Sequence, residues 1–440
     1  MVIDECKKAA QNGDADAQCE MGRFYKNGEG AHKDYVKAIT WFKKAAEQGN
    51  SDGQYELGLC HLNGIGVSKN LGRAFEWFEK SASNKNKQGE YWLGIFYYGG
   101  YHVNKNIDKA IELITRSAQQ GYDLAQFNLA NCYASGKGFA KRELKKAVWW
   151  YKKAAEQDHV KAQYELGKCY YLGKGVEKNF ERALSWYKKS AMGGHIQSQY
   201  EYAKCCEKGK GMEVNFKEAF EWYEKAANAG NIKAQCRLGI CNELGQGTDT
   251  DYAQAFEWYK KSAEKGYAEA QYRLATCFEK GRGVIKLPNK AFEWYEKAAR
   301  QNHPKAQCEI GLCYVMEKGI TKDFEKAFSW YKKAAHQGDP TGQWLLALCY
   351  KTGSGVEKDF TKAAWWYIKS AEQNDAQGQY GLGICYANGE GVKKNVEKAQ
   401  EWLMKAAAQN HKSARKSLGY LMAMPDHPLS LSFEETILNS

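Results

Sequence analysis

Residues 162–194 read AQYELGKCYYLGKGVEKNFERALSWYKKSAMGG, and the same pattern returns along almost the whole chain. Its anchor, Gln163, is matched by Gln18, Gln54, Glu90, Gln126, Gln199, Gln235, Gln271, Gln307, Gln343, Gln379 and Arg415. The interval is 36 residues throughout, except for the 37 from Gln126 to Gln163. A period of this size marks a stacked-repeat solenoid, because one unit alone cannot bury its apolar face.

The unit reads as two short helices. The first, helix A, spans roughly Ala162 to Tyr171. A small residue after the leucine (Gly22, Gly58, Gly94, Ala130, Gly167, Ala203, Gly239) implies close approach of a neighbouring helix. Glycine inside a helix costs about 1 kcal/mol against alanine, so its recurrence implies a packing gain. Gly173 and Gly175 end helix A, since glycine accepts the left-handed conformation found there. Asp34, Asn70, Asn106, Asn179, Asn215, Asp251, Asp323, Asp359 and Asn395 precede helix B as expected N-caps. Helix B spans about Phe180 to Ala191, with Phe180, Ala183, Tyr187 and Ser190 on one face. The chain starts within a helix B (Cys6 to Ala10), and a last helix A is expected over 411–424. The solenoid therefore spans residues 1–424, and the tail, 425–440, is expected to be disordered.

Composition narrows the functional class. The 440 residues carry a net charge of +12, spread without a basic block, and 43% are hydrophobic. Neither a signal-peptide core nor an apolar run of about 18 residues is visible, so no stable membrane insertion is expected. Nine of the 14 cysteines fill one column, six residues after the anchor, from Cys60 to Cys385. Equivalent atoms of successive repeats lie about 10 Å apart, beyond disulfide reach. The column reads as buried thiols of a reducing, cytoplasmic-type compartment.

The candidate chemistry resolves into scaffold. The Gly-x-Gly loops follow helices and lack the phosphate-loop continuation. Cys236/Cys241 and Cys308/Cys313 lie on different helix faces and do not converge on a metal. No catalytic constellation, cofactor or metal site is expected. A basic column three residues after the tryptophans (Lys44, Lys80, Arg116, Lys153, Lys189, Lys225, Lys261, Lys297, Lys333, Lys369, Lys405) could track nucleic acid or anionic lipid. Glutamates four residues earlier in six repeats (Glu76, Glu112, Glu221, Glu257, Glu293, Glu401) favour ordinary helix-surface pairs instead.

The strings AQYELGKCYYLGKGVEKNFERALSWYKKSA and GQYGLGICYANGEGVKKNVEKAQEWLMKAA resemble Sel1-like repeats, relatives of tetratricopeptide repeats. The resemblance covers about residues 1–424. It implies an all-α fold, a right-handed superhelical α/α solenoid of about eleven helix-turn-helix repeats. It also implies a non-enzymatic adaptor whose partner is a protein held along a concave helix-A surface, and a monomer is expected.

Recurring positions are explained by the fold, so the varying ones indicate where a partner sits. On helix A the second, fifth and ninth residues after the anchor share a face. The candidate binding residues are the pairs Trp92 and Ile95, Asn128 and Asn131, Glu165 and Lys168, Glu201 and Lys204, Arg237 and Ile240, Arg273 and Thr276, Glu309 and Leu312, and Leu345 and Leu348. The apolar members are the expected anchors. Three repeats break the pattern, with Glu90 and His102 in one, an extra residue near Lys141 and Arg142 in the next, and Glu317 for a glycine in a third. The tail, with Glu434, Glu435, Ile437 and Leu438, resembles the C-terminal export signals of bacterial type IV effectors. Alternative expectations are thus an exported effector that binds host trafficking proteins, and an anionic-membrane or nucleic-acid binder.

Overall fold

The computed structural model describes residues 2–29, 32–139, 141–423 and Leu429. Among them are twenty-four α-helices and no strands, from α1 (Val2–Gln11) to α24 (Lys412–Ala423). Even-numbered helices are A helices and odd-numbered ones B helices. The chain divides into two compact units, Met1–Asn215 and Phe216–Ser440.

Helix A of the reference repeat is α10 (Val160–Leu172), and helix B is α11 (Phe180–Met192). Gly173 and Gly175 both take positive φ, 69° and 73°. A Cβ on Gly175 would stand 2.4 Å from the Leu144 carbonyl oxygen, so this turn excludes larger residues. Asn179 caps α11 by accepting from the Arg182 N–H, 2.8 Å. Equivalent caps form at residues 34, 70, 106, 251, 323, 359 and 395. Inside α10, a Cβ on Gly167 would meet the Tyr187 ring at 2.8 Å, which explains the small-residue column.

The anchor glutamine has a role the period alone did not disclose. Gln126 is buried and donates from Nε2 to the Ala118 carbonyl, 3.1 Å, in the preceding helix B. Its Oε1 accepts from Gln157, just past the end of the following helix B, 2.8 Å. Gln18, Gln271 and Gln307 do the same. These anchors thus tie successive hairpins together through an amide that both donates and accepts in the core.

The irregular repeats have local causes. Glu90 is buried, and its carboxylate accepts from Gln120 (2.6 Å) and pairs with Arg116 (3.1 Å). Burial holds its pKa above the usual range despite that cation. His102 and Glu317 adopt φ of 60° and 55° where sister repeats place glycine. The extra residue lies in the stretch between α8 (Asp123–Ser135) and α9 (Leu144–Ala155). There the helix-B cap is lost, because Glu143 makes no capping bond.

In each unit some consecutive A helices approach one another. In the first, α4 (Ser51–Asn63) meets α6 (Lys87–Gly99). In the second, α20 (Pro340–Thr352) meets both α18 (Pro304–Met316) and α22 (Ala376–Asn388). Of the tail expected to be disordered, Leu429 alone is among the described residues. It is buried, and the Asn388 side chain accepts from its N–H (2.9 Å) and donates to its carbonyl (2.8 Å). The rest of the tail, with the proposed export signal, lies outside the described residues.

Candidate functional site: the helix-A face

The structure divides the sixteen candidate residues by burial. Leu345 and Leu348 are 0% exposed and Ile240 is 7% exposed, so these three are core and not contact surface. The cause at α20 is the approach of α18 and α22, which closes over apolar members of the column. Leu312 packs partly against the same core. Trp92 stacks on Phe78, with centroids 5.8 Å apart, and Ile95 packs against a neighbouring apolar cluster. Leu345, Leu348 and Ile240, expected among the apolar anchors, are drawn into the core, whereas Trp92, Ile95 and Leu312 stay half-exposed.

The polar candidates remain half-exposed. Asn128 donates to the Tyr91 hydroxyl at 2.8 Å, and Asn131 accepts from the Tyr151 hydroxyl at 2.6 Å. With Ile95 they line a cavity of about 100 Å³. Glu165 pairs with Lys168 (3.0 Å), and Glu201 with Lys204 (3.1 Å). In the second unit Arg273 pairs with Glu269 (2.7 Å) and Glu243 (3.5 Å), while Arg282 also reaches Glu243 (2.8 Å). These contacts hold Glu269 at a pKa of about 2, the His303 hydrogen bond being the largest cause. Thr276 lies 3.2 Å from the Tyr295 hydroxyl. Arg237 is half-exposed on α14 (Ile232–Leu244).

A larger cavity, about 510 Å³, opens beside this face in the second unit. Glu279, Lys280, Lys286, Tyr295, Cys313 and Lys318 contribute to its lining. Lys318 pairs with Glu279 at 3.0 Å, and Glu279 also accepts from the Tyr295 hydroxyl at 2.8 Å. Next to this group, Glu309 makes no hydrogen bond or ion pair among the described residues. Burial and the neighbouring Glu279 raise its pKa to about 7, against the pull of Lys318 and Lys280.

The basic column behaves differently from its sequence reading. Of the six glutamate–cation pairs expected, Glu112–Arg116 (3.4 Å) and Glu401–Lys405 (2.6 Å) form. The recurring partner is the tryptophan ring. Lys44, Lys80, Lys189, Lys225, Lys261, Lys297, Lys333 and Lys405 lie 3.8–4.7 Å from the indole three residues earlier. A cation over an aromatic face at this distance is attracted by the ring quadrupole. These lysines are thus engaged with the helix that bears them.

None of the fourteen cysteines forms a disulfide. Burial pushes the Cys205, Cys277 and Cys313 thiols up to about 12, so they are protonated and unreactive at neutral pH. Among the described residues no group of three or more His, Cys, Asp or Glu is placed to hold a metal. No described helix is long and apolar enough to cross a membrane.

Helical hairpins tied edge to edge by buried amides, with a variable polar face on the A helices, define an α-solenoid repeat protein. The family model for the Sel1 repeat matches eleven successive stretches, from 15–50 to 376–411, and the chain belongs to that family. Among solved structures it is similar to c5321 of uropathogenic Escherichia coli, a protective antigen with this repeat fold. That similarity is 33% identity over 99% of this chain and 93% of the other, with a TM-score of 0.86. A Sel1 repeat protein from Oxalobacter formigenes is 30% identical over 71% of this chain and 90% of its own, TM-score 0.55. No curated protein sequence matches the chain.

Proposed function

We propose that the chain is a non-enzymatic scaffold that binds a partner polypeptide along the helix-A face. The observation supporting this most strongly is the division of labour within the repeat. Positions that recur are consumed by packing, amide ties and caps. The second and fifth positions after the anchor differ from hairpin to hairpin, and the polar candidates among them stay half-exposed. An array of like supports presenting unlike side chains suits recognition of an extended protein segment. The engagement of the lysine column by tryptophan rings weighs against a nucleic-acid or anionic-membrane surface made of that column.

Photo-crosslinking side chains placed at Ile95, Lys168 or Arg273 should trap one common partner from lysate of the native host. The same probe at Lys152, on helix B, should not. Crosslinks from Lys152 with none from the three A-helix positions would remove the helix-A face from consideration.

A further inference from the structure

The second position after the anchor is glutamate in five repeats: Glu20, Glu56, Glu165, Glu201 and Glu309. Four of these carboxylates have a cation within 3.3 Å. Glu20 has Arg23 at 2.5 Å, Glu56 has Lys26 at 2.7 Å and Arg23 at 3.3 Å, Glu165 has Lys168, and Glu201 has Lys204. In three cases the cation is the fifth residue after the anchor on the same helix. At Glu309 that residue is Leu312, and no cation replaces it. Lys318, the nearest candidate on the following loop, is committed to Glu279.

A second irregularity falls at the same place. In the two preceding hairpins the buried helix-B tyrosine donates to a glutamate eight residues after the anchor. Tyr259 donates to Glu243 at 2.6 Å, and Tyr295 to Glu279 at 2.8 Å. In the next hairpin that glutamate is replaced by Val315, itself buried. The hydroxyl of Tyr331 is therefore left without a partner although the residue is 0% exposed. Its electrostatic neighbours are Glu309 and the thiols of Cys308, Cys313 and Cys349, and Cys313 lines the 510 Å³ cavity. One hairpin thus has both a half-exposed carboxylate and a buried hydroxyl without protein partners, and Cys313, a neighbour of both, lines the cavity. Either irregularity alone would be a packing fault; together they outline a receptor with a missing donor.

We propose that Glu309 receives a lysine or arginine side chain of the partner polypeptide, completing the ion pair that the other glutamates of this column make within the chain. The inference rests on the scaffold reading and names the chemistry of the partner at one hairpin. The sister hairpins select a cation: an ammonium or guanidinium supplies what Arg23, Lys168 and Lys204 supply elsewhere in the column, here beside Lys280, Lys286 and Lys318, which line the adjacent cavity with Glu279. A guanidinium has further donors to offer the Tyr331 oxygen. The titratable and charged groups around Glu309 are Glu279, Lys280 and Tyr272 from α16 (Ala268–Lys280), Tyr295 from α17 (Pro288–Arg300), Lys318 from the loop, and Tyr331 from α19 (Phe324–His336). Cys308 and Cys313 lie on its own helix.

The test uses the full chain and an array of 12-residue peptides of random composition, each made with a central arginine, lysine, citrulline or norleucine. Wild type should retain arginine and lysine forms at least tenfold over citrulline and norleucine forms. Glu309→Gln should abolish that preference while melting at or above the wild-type temperature at pH 8, since it removes an ionised, unpaired carboxylate. The affinity of the preferred peptide should rise from pH 6 to pH 8 for wild type and stay flat for Glu309→Gln, because cation binding needs the ionised form. Tyr331→Phe should weaken arginine peptides more than lysine peptides.

No preference for cationic peptides, or an unchanged preference in Glu309→Gln, overturns the proposal while leaving the crosslinking test of the scaffold untouched. If Lys280 instead satisfies Glu309 in solution, Lys280→Ala and Glu309→Gln will be coupled in a stability double-mutant cycle with peptide binding unaltered. That outcome overturns it as well.

Discussion

Glu317 and Gln235 show how one residue registers a departure from its repeat. Glu317 ends α18 at φ 55°, a conformation that costs a side-chain-bearing residue about 1–2 kcal/mol. Glu317→Gly should therefore raise the urea midpoint by the equivalent of roughly 1 kcal/mol. A lowered midpoint would show that the Glu317 side chain contributes more than its backbone costs. Gln235 is buried, yet its Oε1 has no donor, because Lys265 stands where other repeats place a glutamine or asparagine. Lys265→Gln should supply that donor and stabilise by about 1 kcal/mol, read from the same denaturation curve. Both departures are visible by comparing the chain with itself. The burial of Leu345 and Leu348 was not visible in this way. Their column is half-exposed in most hairpins, and the approach of consecutive A helices that closes it over depends on packing between units of the repeat.

At the scale of the helix, the caps of the A helices went unread in the sequence, although they sit four residues before each anchor. Several are aspartate or asparagine, such as Asn50 and Asn231. Others are histidine. His159, His195 and His411 accept from backbone N–H groups through Nδ1 at 3.1, 3.3 and 3.1 Å, which requires the neutral ring with its proton on Nε2. Histidine is an uncommon cap, so these positions carry no cap signal in the sequence. Burial lowers the pKa of all three below the ordinary value. The unfolded chain then takes up protons first as pH falls through about 6.5, and the folded state loses stability progressively below that point. Replacing all three with asparagine, the cap of sister hairpins, should flatten stability between pH 7.5 and pH 5, by about 1 kcal/mol per cap at the acid end. An unchanged pH profile would show that the rings are retained as caps after protonation. Glu309 works in the opposite sense. With its folded pKa raised to about 7, stability falls as pH rises from about 4.5 to 7, and Glu309→Gln should remove that slope.

For the molecule as a whole, the period and the helix boundaries were legible because each is repeated many times. What the proposed helix-A surface presents is written once per hairpin and has no internal copy to compare against. Each helix contacts its near neighbours along the chain and little else. Stability in such a stack is close to a sum of hairpin and junction terms. Tyr187→Ala, which empties a large aromatic from a site 3% exposed, should cost about 3–5 kcal/mol locally. Amide hydrogen exchange should show the loss concentrated in α10, α11 and α12 (Ile196–Lys208) and fading toward α4. A uniform loss of protection across the first unit would mean that it melts as one block.

The buried amide that links one hairpin to the next has an evolutionary corollary. A junction that presents a like donor and acceptor at most steps lets a hairpin be duplicated or deleted as a whole with little new joinery. The length of the recognition surface then becomes a heritable quantity, adjustable in increments of one gene segment. Each new increment arrives with its second and fifth positions free to diverge, so a chain of this kind lengthens its reach first and acquires specificity afterwards.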